Sequence, residues 1–198
     1  MKTLDSSTQA SSPGSLSLSN EKLKELRPEL YGLKGKWLEY REKKSAGYSQ
    51  IEQIREHIFY GDSQPAVVLS VDPLIIVAYS EDLDCVVPLY FSNIYVKKYR
   101  LKEKTRLITV NTYMRGPKLQ EDIILGPNNS GVWFGFHPII AEFVSDDLDV
   151  IEMRKLKIDE KMWEYVYKLG GEYSSKYPNA YRDGRPIYSQ NPATIRWF

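Results

Sequence analysis

Two short acidic blocks hold the side chains most suited to chemistry. They are Glu81–Asp84, with the sequence EDLD, and Asp146–Asp149, with the sequence DDLD. Carboxylate oxygens are the ligands that Ca²⁺ and Mg²⁺ prefer, so a divalent metal bound by both blocks would support a metal-dependent hydrolase. The candidate metal ligands are Asp82, Asp84, Asp147 and Asp149.

Both blocks nevertheless lack the pattern of a known calcium loop. Neither has the alternating Asp or Asn, the central Gly and the distal Glu of an EF-hand. Acidic residues are also common in hairpin loops, because a carboxylate accepts hydrogen bonds from nearby backbone N–H groups. The sequence therefore favours structural acidic loops and predicts no cofactor, with a divalent metal as the alternative.

Few residues could serve nucleophilic catalysis. The chain has two histidines, His57 and His137, and one cysteine, Cys85. Cys85 lies in an apolar run, where a cysteine is usually buried and inert. Phosphate-binding loops, dinucleotide fingerprints, zinc-protease motifs and serine-hydrolase motifs are absent from the sequence. The sequence therefore favours a protein without catalytic activity.

A basic stretch, residues 93–106, interleaves six Lys or Arg residues with Tyr95 and Tyr99. Rings beside cations can hold single-stranded nucleic acid by stacking and charge. The same residues would also suit a solvated edge strand, where Lys deters aggregation. Because 27 basic residues nearly balance 26 acidic ones, no global field attracts nucleic acid. Single-stranded nucleic-acid binding is therefore the second alternative.

The C-terminal segment, residues 176–198, is rich in Tyr, Pro and Asn and is predicted to run as irregular chain over the surface. Tyr and Trp supply much of the energy of protein interfaces. The leading hypothesis is a non-catalytic module that binds another protein, with this segment as the main contact. Its candidate partner-binding residues are Tyr173, Tyr177, Tyr181, Arg182, Tyr188 and Trp197.

The composition predicts a soluble cytoplasmic protein. A single cysteine excludes an intramolecular disulfide and suits a reducing compartment. No apolar run approaches the length of a membrane span, and the first residues lack the apolar core of a signal peptide. Neither a membrane partner nor secretion is expected.

An internal similarity surrounds the acidic blocks. Gly61–Val87 aligns without a gap on Gly126–Glu152, with matched Gly, Pro, Ser and Asp positions. A fixed offset of this kind indicates one supersecondary unit used twice. We therefore predict two tandem β units, at about 61–91 and 126–156, which pack on one core around an approximate two-fold axis.

Each unit is predicted to contain three short strands, because its runs are rich in Val, Ile, Tyr and Phe and are bounded by turn residues. The second and third strands of each unit would form a hairpin across the acidic block. An alternative remains for residues 73–79 and 138–144, since Asp72-Pro73 and His137-Pro138 could instead begin short helices.

The rest of the chain completes an α+β fold with a mostly antiparallel sheet. Helices are predicted after Asn20, at Gln50–Phe59 behind a Ser49/Glu52 capping box, and at Glu160–Leu169 with a stop at Gly170-Gly171. Lys36–Arg41 is a candidate edge strand, and residues 107–114 and 119–125 are expected to pair. The predicted organisation is a disordered tail at 1–19, one domain at 20–175 and the C-terminal segment.

Overall fold

The computed structural model describes residues 10–47 and 49–187. The fold is α+β and centres on a curled, mostly antiparallel sheet. Its strand order is β5-β4-β1-β2-β3-β6. The strands are β1 Asp62–Val71, β2 Leu74–Ser80, β3 Cys85–Phe91, β4 Arg106–Met114, β5 Gly135–Ile140 and β6 Arg182–Asp183.

In the described ranges the helices are α1 Asn20–Leu26, α2 Leu33–Ala46, α3 Gln50–Tyr60, α4 Ile94–Lys98, α5 Leu148–Lys157 and α6 Glu160–Lys176. Helices α3, α5 and α6 pack against the sheet. Short 3-10 turns occupy Pro28–Tyr31 and Ala141–Phe143. Among the helices of residues 10–47 and 49–187, none has both the length and the apolar character needed to cross a membrane.

The first predicted β unit is confirmed strand by strand. β1 pairs with β2, and β2 pairs with β3 across the turn at residues 81–84. All seven residues of β2 are buried, as expected for a continuous apolar run in a central strand. Residues 74–79 are therefore strand and not helix.

The repeat is not confirmed, because the second unit folds differently. Strand β5 begins only at Gly135, and a 3-10 turn follows it at Ala141–Phe143. Residues 150–156, which were predicted as a strand, lie in α5. Their Met, Arg, Lys and Leu side chains favour helix, whereas the aligned strand β3 is rich in Val and aromatic residues, which favour strands.

Two further strand predictions are wrong. Lys36–Arg41 lies inside α2, which is rich in Lys, Glu and Leu, residues that favour helix. The helix is capped by Gly47, which has a left-handed φ of 89°. Residues 119–125 form no strand, because β4 already pairs with β1 on one side and with β5 on the other.

Helices α3 and α6 begin where the sequence predicts. Ser49 and Glu52 form the capping box of α3, and Asp159 caps α6. However, α6 continues through Gly170-Gly171 to Lys176. A Cβ atom on Gly170 would lie only 2.9 Å from a methyl of Val77, so glycine allows α6 to pack closely on β2. That packing offsets the helix cost of glycine, about 1 kcal/mol.

Both ends of the described chain join the sheet. In the segment predicted as a disordered tail, Gly14 donates its N–H to the Gly61 carbonyl at 2.8 Å and Leu16 is buried. At the other end, β6 pairs in parallel with β3. Residues 1–9 and 188–198 lie outside the described ranges. The ordered domain therefore extends beyond the predicted limits of 20–175.

Candidate interaction surface

Asp84 is the centre of a hydrogen-bond network and not an open ligand. The residue is 2% exposed. Oδ1 accepts hydrogen bonds from the hydroxyls of Tyr79 (3.0 Å) and Tyr165 (2.9 Å). Oδ2 accepts from the backbone N–H and the side-chain amide of Asn128, both at 3.1 Å. These four donors fix the turn between β2 and β3 against the 126–130 loop and α6.

The other acidic candidates are spread over separate contacts. Ser130 donates its backbone N–H to the Asp82 carbonyl at 2.8 Å, and burial raises the pKa of the Asp82 carboxyl. Asp147 precedes α5 and accepts the Ser17 N–H at 2.6 Å, while Asp149 is exposed in the first turn of α5. The second acidic block is thus a helix start and not a hairpin loop.

No group of three or more His, Cys, Asp or Glu side chains placed to hold a metal ion occurs in the ranges 10–47 and 49–187. The geometry therefore gives the metal-dependent hydrolase no assembled centre at Asp82, Asp84, Asp147 and Asp149. It remains an alternative that only ion binding can test.

The two histidines and the cysteine do not form a nucleophile–base pair. Val110 O can only accept, so His57 donates from Nε2 to it at 2.9 Å, and the Nδ1 atom of the neutral ring accepts the Thr112 hydroxyl at 3.2 Å. His137 contacts the Met114 sulfur. Burial raises the pKa of Cys85 to about 12, so its thiol remains protonated at neutral pH.

We expect His57 to make stability depend on pH. Burial lowers the pKa of the folded-state ring from 6.5 to about 4. The stabilisation is therefore complete above pH 6.5 and is lost as pH falls toward 4. A pKa unit corresponds to 1.36 kcal/mol, and because His57 as a whole residue is only half-buried we expect a loss of about 2 kcal/mol. Urea unfolding at pH 7 and pH 4.5 would measure it.

His57→Gln is the test variant, and His137→Gln is the comparison, since the His137 charge contributes to the lowered pKa of His57 but burial is the larger cause. If His57 is responsible, its replacement flattens the stability profile between pH 6.5 and 4, whereas His137→Gln retains most of the slope. An unchanged slope in His57→Gln would contradict the assignment.

The two rings of the basic stretch pack within the fold, whereas its six basic side chains are exposed. Tyr95 is buried and Tyr99 stacks on it with ring centroids 6.0 Å apart. Lys98 pairs with Glu25, and Arg106 pairs with Glu160. The rings expected to stack on bases are therefore engaged elsewhere, which weakens the nucleic-acid interpretation.

The predicted partner-binding residues fall into three groups. Tyr173 and Arg182 are buried, and their polar atoms bond to Asp122. Tyr177 and Tyr181 are half-buried; Tyr181 stacks on Tyr90 with ring centroids 5.4 Å apart. Tyr188 and Trp197 lie outside the described residues. Tyr173 and Arg182, the two buried members of the set, therefore stabilise the fold.

The outer side of α2 carries three large exposed apolar residues. Leu33, Trp37 and Tyr40 are 89%, 62% and 67% exposed. At 3.6 residues per turn they lie within about 60° of one another on the helix. We call these three residues the α2 stripe. The sequence contains this helical spacing of i, i+4 and i+7. It was missed because Lys36–Arg41 was predicted to be an edge strand.

The inner side of α2 rests on polar contacts. Gln50 donates its backbone N–H and its side-chain amide to the Glu42 carboxylate, and Lys43 pairs with Glu52 at 3.2 Å. A Cβ on Gly35 would meet the Leu30 carbonyl at 2.4 Å, so glycine allows α2 to approach the preceding 3-10 turn. None of the described side chains of α2 is buried, so tertiary packing supports this helix only weakly.

Positive charge flanks the α2 stripe. Lys34, Lys36 and Lys44 are exposed and take part in no ion pair within the described ranges. Arg41 lies over the Trp37 ring, 5.1 Å from its centroid. The acidic residues of the helix lie on its inner side, where Glu39 pairs with Lys43 and Glu42 accepts from Gln50. The stripe is thus an apolar row between cations.

No known protein family, curated protein or solved structure matches the chain. Arguments about function therefore rest on the chemistry of its own surfaces.

Proposed function

We propose that the protein is a non-catalytic binding module whose α2 helix inserts the α2 stripe into an apolar groove of a partner protein. The observation that carries the proposal is the exposure of Leu33, Trp37 and Tyr40 on one side of a helix that buries none of its described side chains. Exposed apolar patches of this kind typically mark interaction sites.

Spacing and residue type favour insertion of a helix into a groove. Helices that dock in this way present apolar anchors at i, i+3, i+4 or i+7, and the α2 stripe follows that spacing. Trp and Tyr are enriched among the residues that dominate binding energy. An isolated helix of this length is marginal in water, so docking would also stabilise α2.

The charges define the partner groove. Because Lys34, Lys36 and Lys44 lack ion-pair partners in the described chain, a complementary groove carries Asp or Glu along its rim. Such rim charges mainly speed association and set orientation. Two other anionic surfaces, single-stranded nucleic acid and anionic lipid, would also attract these cations, and the experiment below separates them from a protein.

The test is site-specific photocrosslinking. A photoreactive phenylalanine at Trp37 of the full chain is irradiated in native lysate treated with nuclease and cleared of membranes. The matched control carries the same group at Lys118, an exposed site remote from α2 in sequence. One protein crosslinked from position 37 and absent from position 118 supports the proposal. A second arm repeats the irradiation in lysate that still contains nucleic acid and membranes. Crosslinks in that arm only to nucleic acid or lipid would contradict the proposal.

We expect Trp37→Ala to weaken binding to the purified crosslinked partner by at least about 30-fold, since a central anchor contributes about 2 kcal/mol or more. The unfolding free energy should change by less than about 0.5 kcal/mol, because the ring is largely exposed. Calorimetric titration measures the affinity, and Lys118→Ala is the control. Equal affinity of both variants would place the interface elsewhere.

A further inference from the structure

A second surface with binding chemistry lies between α6 and the chain before residue 128. It is a groove of about 260 Å³, which we call the α6 groove. Pockets for drug-sized molecules measure roughly 300–1,000 Å³, so the α6 groove suits one large side chain better than a whole metabolite. Its walls include Ile124, Leu125, Pro127, Tyr165, Leu169 and Tyr173.

The two tyrosine hydroxyls in these walls are already occupied. The Tyr165 hydroxyl donates to Asp84 at 2.9 Å, and the Tyr173 hydroxyl donates to the Asp122 carbonyl at 3.1 Å. Burial and the neighbouring Asp84 carboxylate raise the pKa of Tyr165 to about 12, so its hydroxyl stays neutral. The interior of the groove therefore offers mainly apolar contact to a ligand.

One edge of the groove has open backbone. Ile124 and Leu125 belong to no helix or strand, and their side chains are 39% and 42% exposed. Within the described chain, no hydrogen bond occupies their backbone N–H or C=O groups. An extended peptide can pair with such a segment, so that main-chain hydrogen bonds add to side-chain contacts.

The rim is positively charged at one point. Lys176 is exposed at the end of α6 and forms no ion pair in the described ranges, although its Nζ lies 5.4 Å from the centroid of the Tyr177 ring. Glu172, one helical turn earlier, pairs with Lys168 at 3.6 Å. A carboxylate on the ligand would therefore be attracted to Lys176.

We infer that the α6 groove binds an extended peptide segment of a partner protein, with an apolar side chain in the groove and an acidic residue two positions away facing Lys176. Residues two apart point to the same side of an extended chain, so both side chains can reach the groove together. This site is separate from the α2 stripe and does not depend on it.

The probe is the capped pentapeptide Ser-Leu-Ser-Glu-Ser, titrated into the full chain while amide NMR shifts are followed. We expect saturating shifts at Ile124, Leu125 and Leu169. Replacing the probe's Leu by Ser should weaken binding at least tenfold, because it removes the apolar side chain that the groove takes out of water. Replacing its Glu by Lys should weaken binding several-fold.

Lys176→Glu gives the decisive comparison, because it reverses the rim charge at an exposed site. This variant should bind the Glu probe about tenfold more weakly than the wild type and should prefer the Lys probe. Trp37→Ala should bind both probes like the wild type, which separates this site from the proposed function. The inference is overturned if the probe causes no saturating shifts, or if Lys176→Glu prefers the Glu probe over the Lys probe as the wild type does.

Discussion

Replacing Arg182 by alanine should lower the unfolding free energy by about 3–5 kcal/mol. The Arg182 guanidinium is 4% exposed. It donates from Nη2 to the Asp122 carboxylate and the Gln120 amide oxygen, and from Nη1 to the Phe136 carbonyl, all within 2.9 Å. Its removal leaves a buried carboxylate without a counter-charge, which is the most costly form of a broken ion pair.

Urea denaturation would measure this effect, with Arg106→Ala as the matched control. Arg106 pairs with Glu160 at the exposed surface, where an ion pair contributes about 0–1 kcal/mol. The double variant Arg182→Met, Asp122→Leu should recover most of the loss, because apolar replacements leave no buried charge. A loss below 1 kcal/mol in Arg182→Ala would instead return Arg182 to the candidate binding residues.

Asp84→Ala should be the next most damaging substitution, with a loss of about 3 kcal/mol. It removes the acceptor of two Tyr hydroxyls and of two Asn128 donors, and unsatisfied buried donors cost about 1–3 kcal/mol each before relaxation. Residue 84 also has a left-handed φ of 46°, which Asp and Asn tolerate better than Ala. Asp84→Asn should therefore lose less.

Asp149→Ala is the control for that prediction. Asp149 belongs to the other acidic block but is exposed at the start of α5, so its loss should cost less than about 1 kcal/mol. The metal-dependent alternative predicts something different, namely that Asp84→Asn and Asp149→Asn both abolish divalent-ion binding. Thermal unfolding of the three variants with and without EDTA distinguishes the two explanations.

Local signals predicted much of this fold. The Ser49/Glu52 capping box forms as expected, and Asp159 caps α6. The apolar runs of β2 and β3 are bounded by turn residues and rich in Val, Ile and aromatic residues, which favoured strands, although a short helix was the alternative for residues 73–79. In each case the residues that decide the structure lie within one turn or one strand of one another.

Other features depend on distant partners that no local pattern reveals. Asp122 and Arg182 are 60 residues apart, and the Asp84–Asn128 contact spans 44 residues. Without those partners, Arg182 resembled a surface cation and Asp84 resembled a metal ligand. The matched positions of the two acidic blocks likewise suggested a repeat, although tertiary pairing gives the first a hairpin and the second a helix start.

The candidate interaction surface was predictable in part. The sequence predicted a protein-binding module with aromatic contacts between residue 173 and the C-terminus. Trp37 and Tyr40 favour strands by propensity, and glycines such as Gly32 and Gly35 are typical of turns. In the structure, Gly35 instead allows α2 to approach the 3-10 turn at residues 28–31 closely. A sequence pattern does not distinguish this role of glycine from a role in a turn.

The most direct test of the account is amide hydrogen exchange of the full chain, measured alone and with the purified protein crosslinked from position 37. Because α2 has no buried side chain among those described, its amides in the free protein should exchange far faster than those of β2, whose opening requires unfolding of the sheet. The partner should then slow exchange in α2. Protection of α2 equal to that of β2 in the free protein, or partner protection elsewhere with α2 unchanged, would contradict the account.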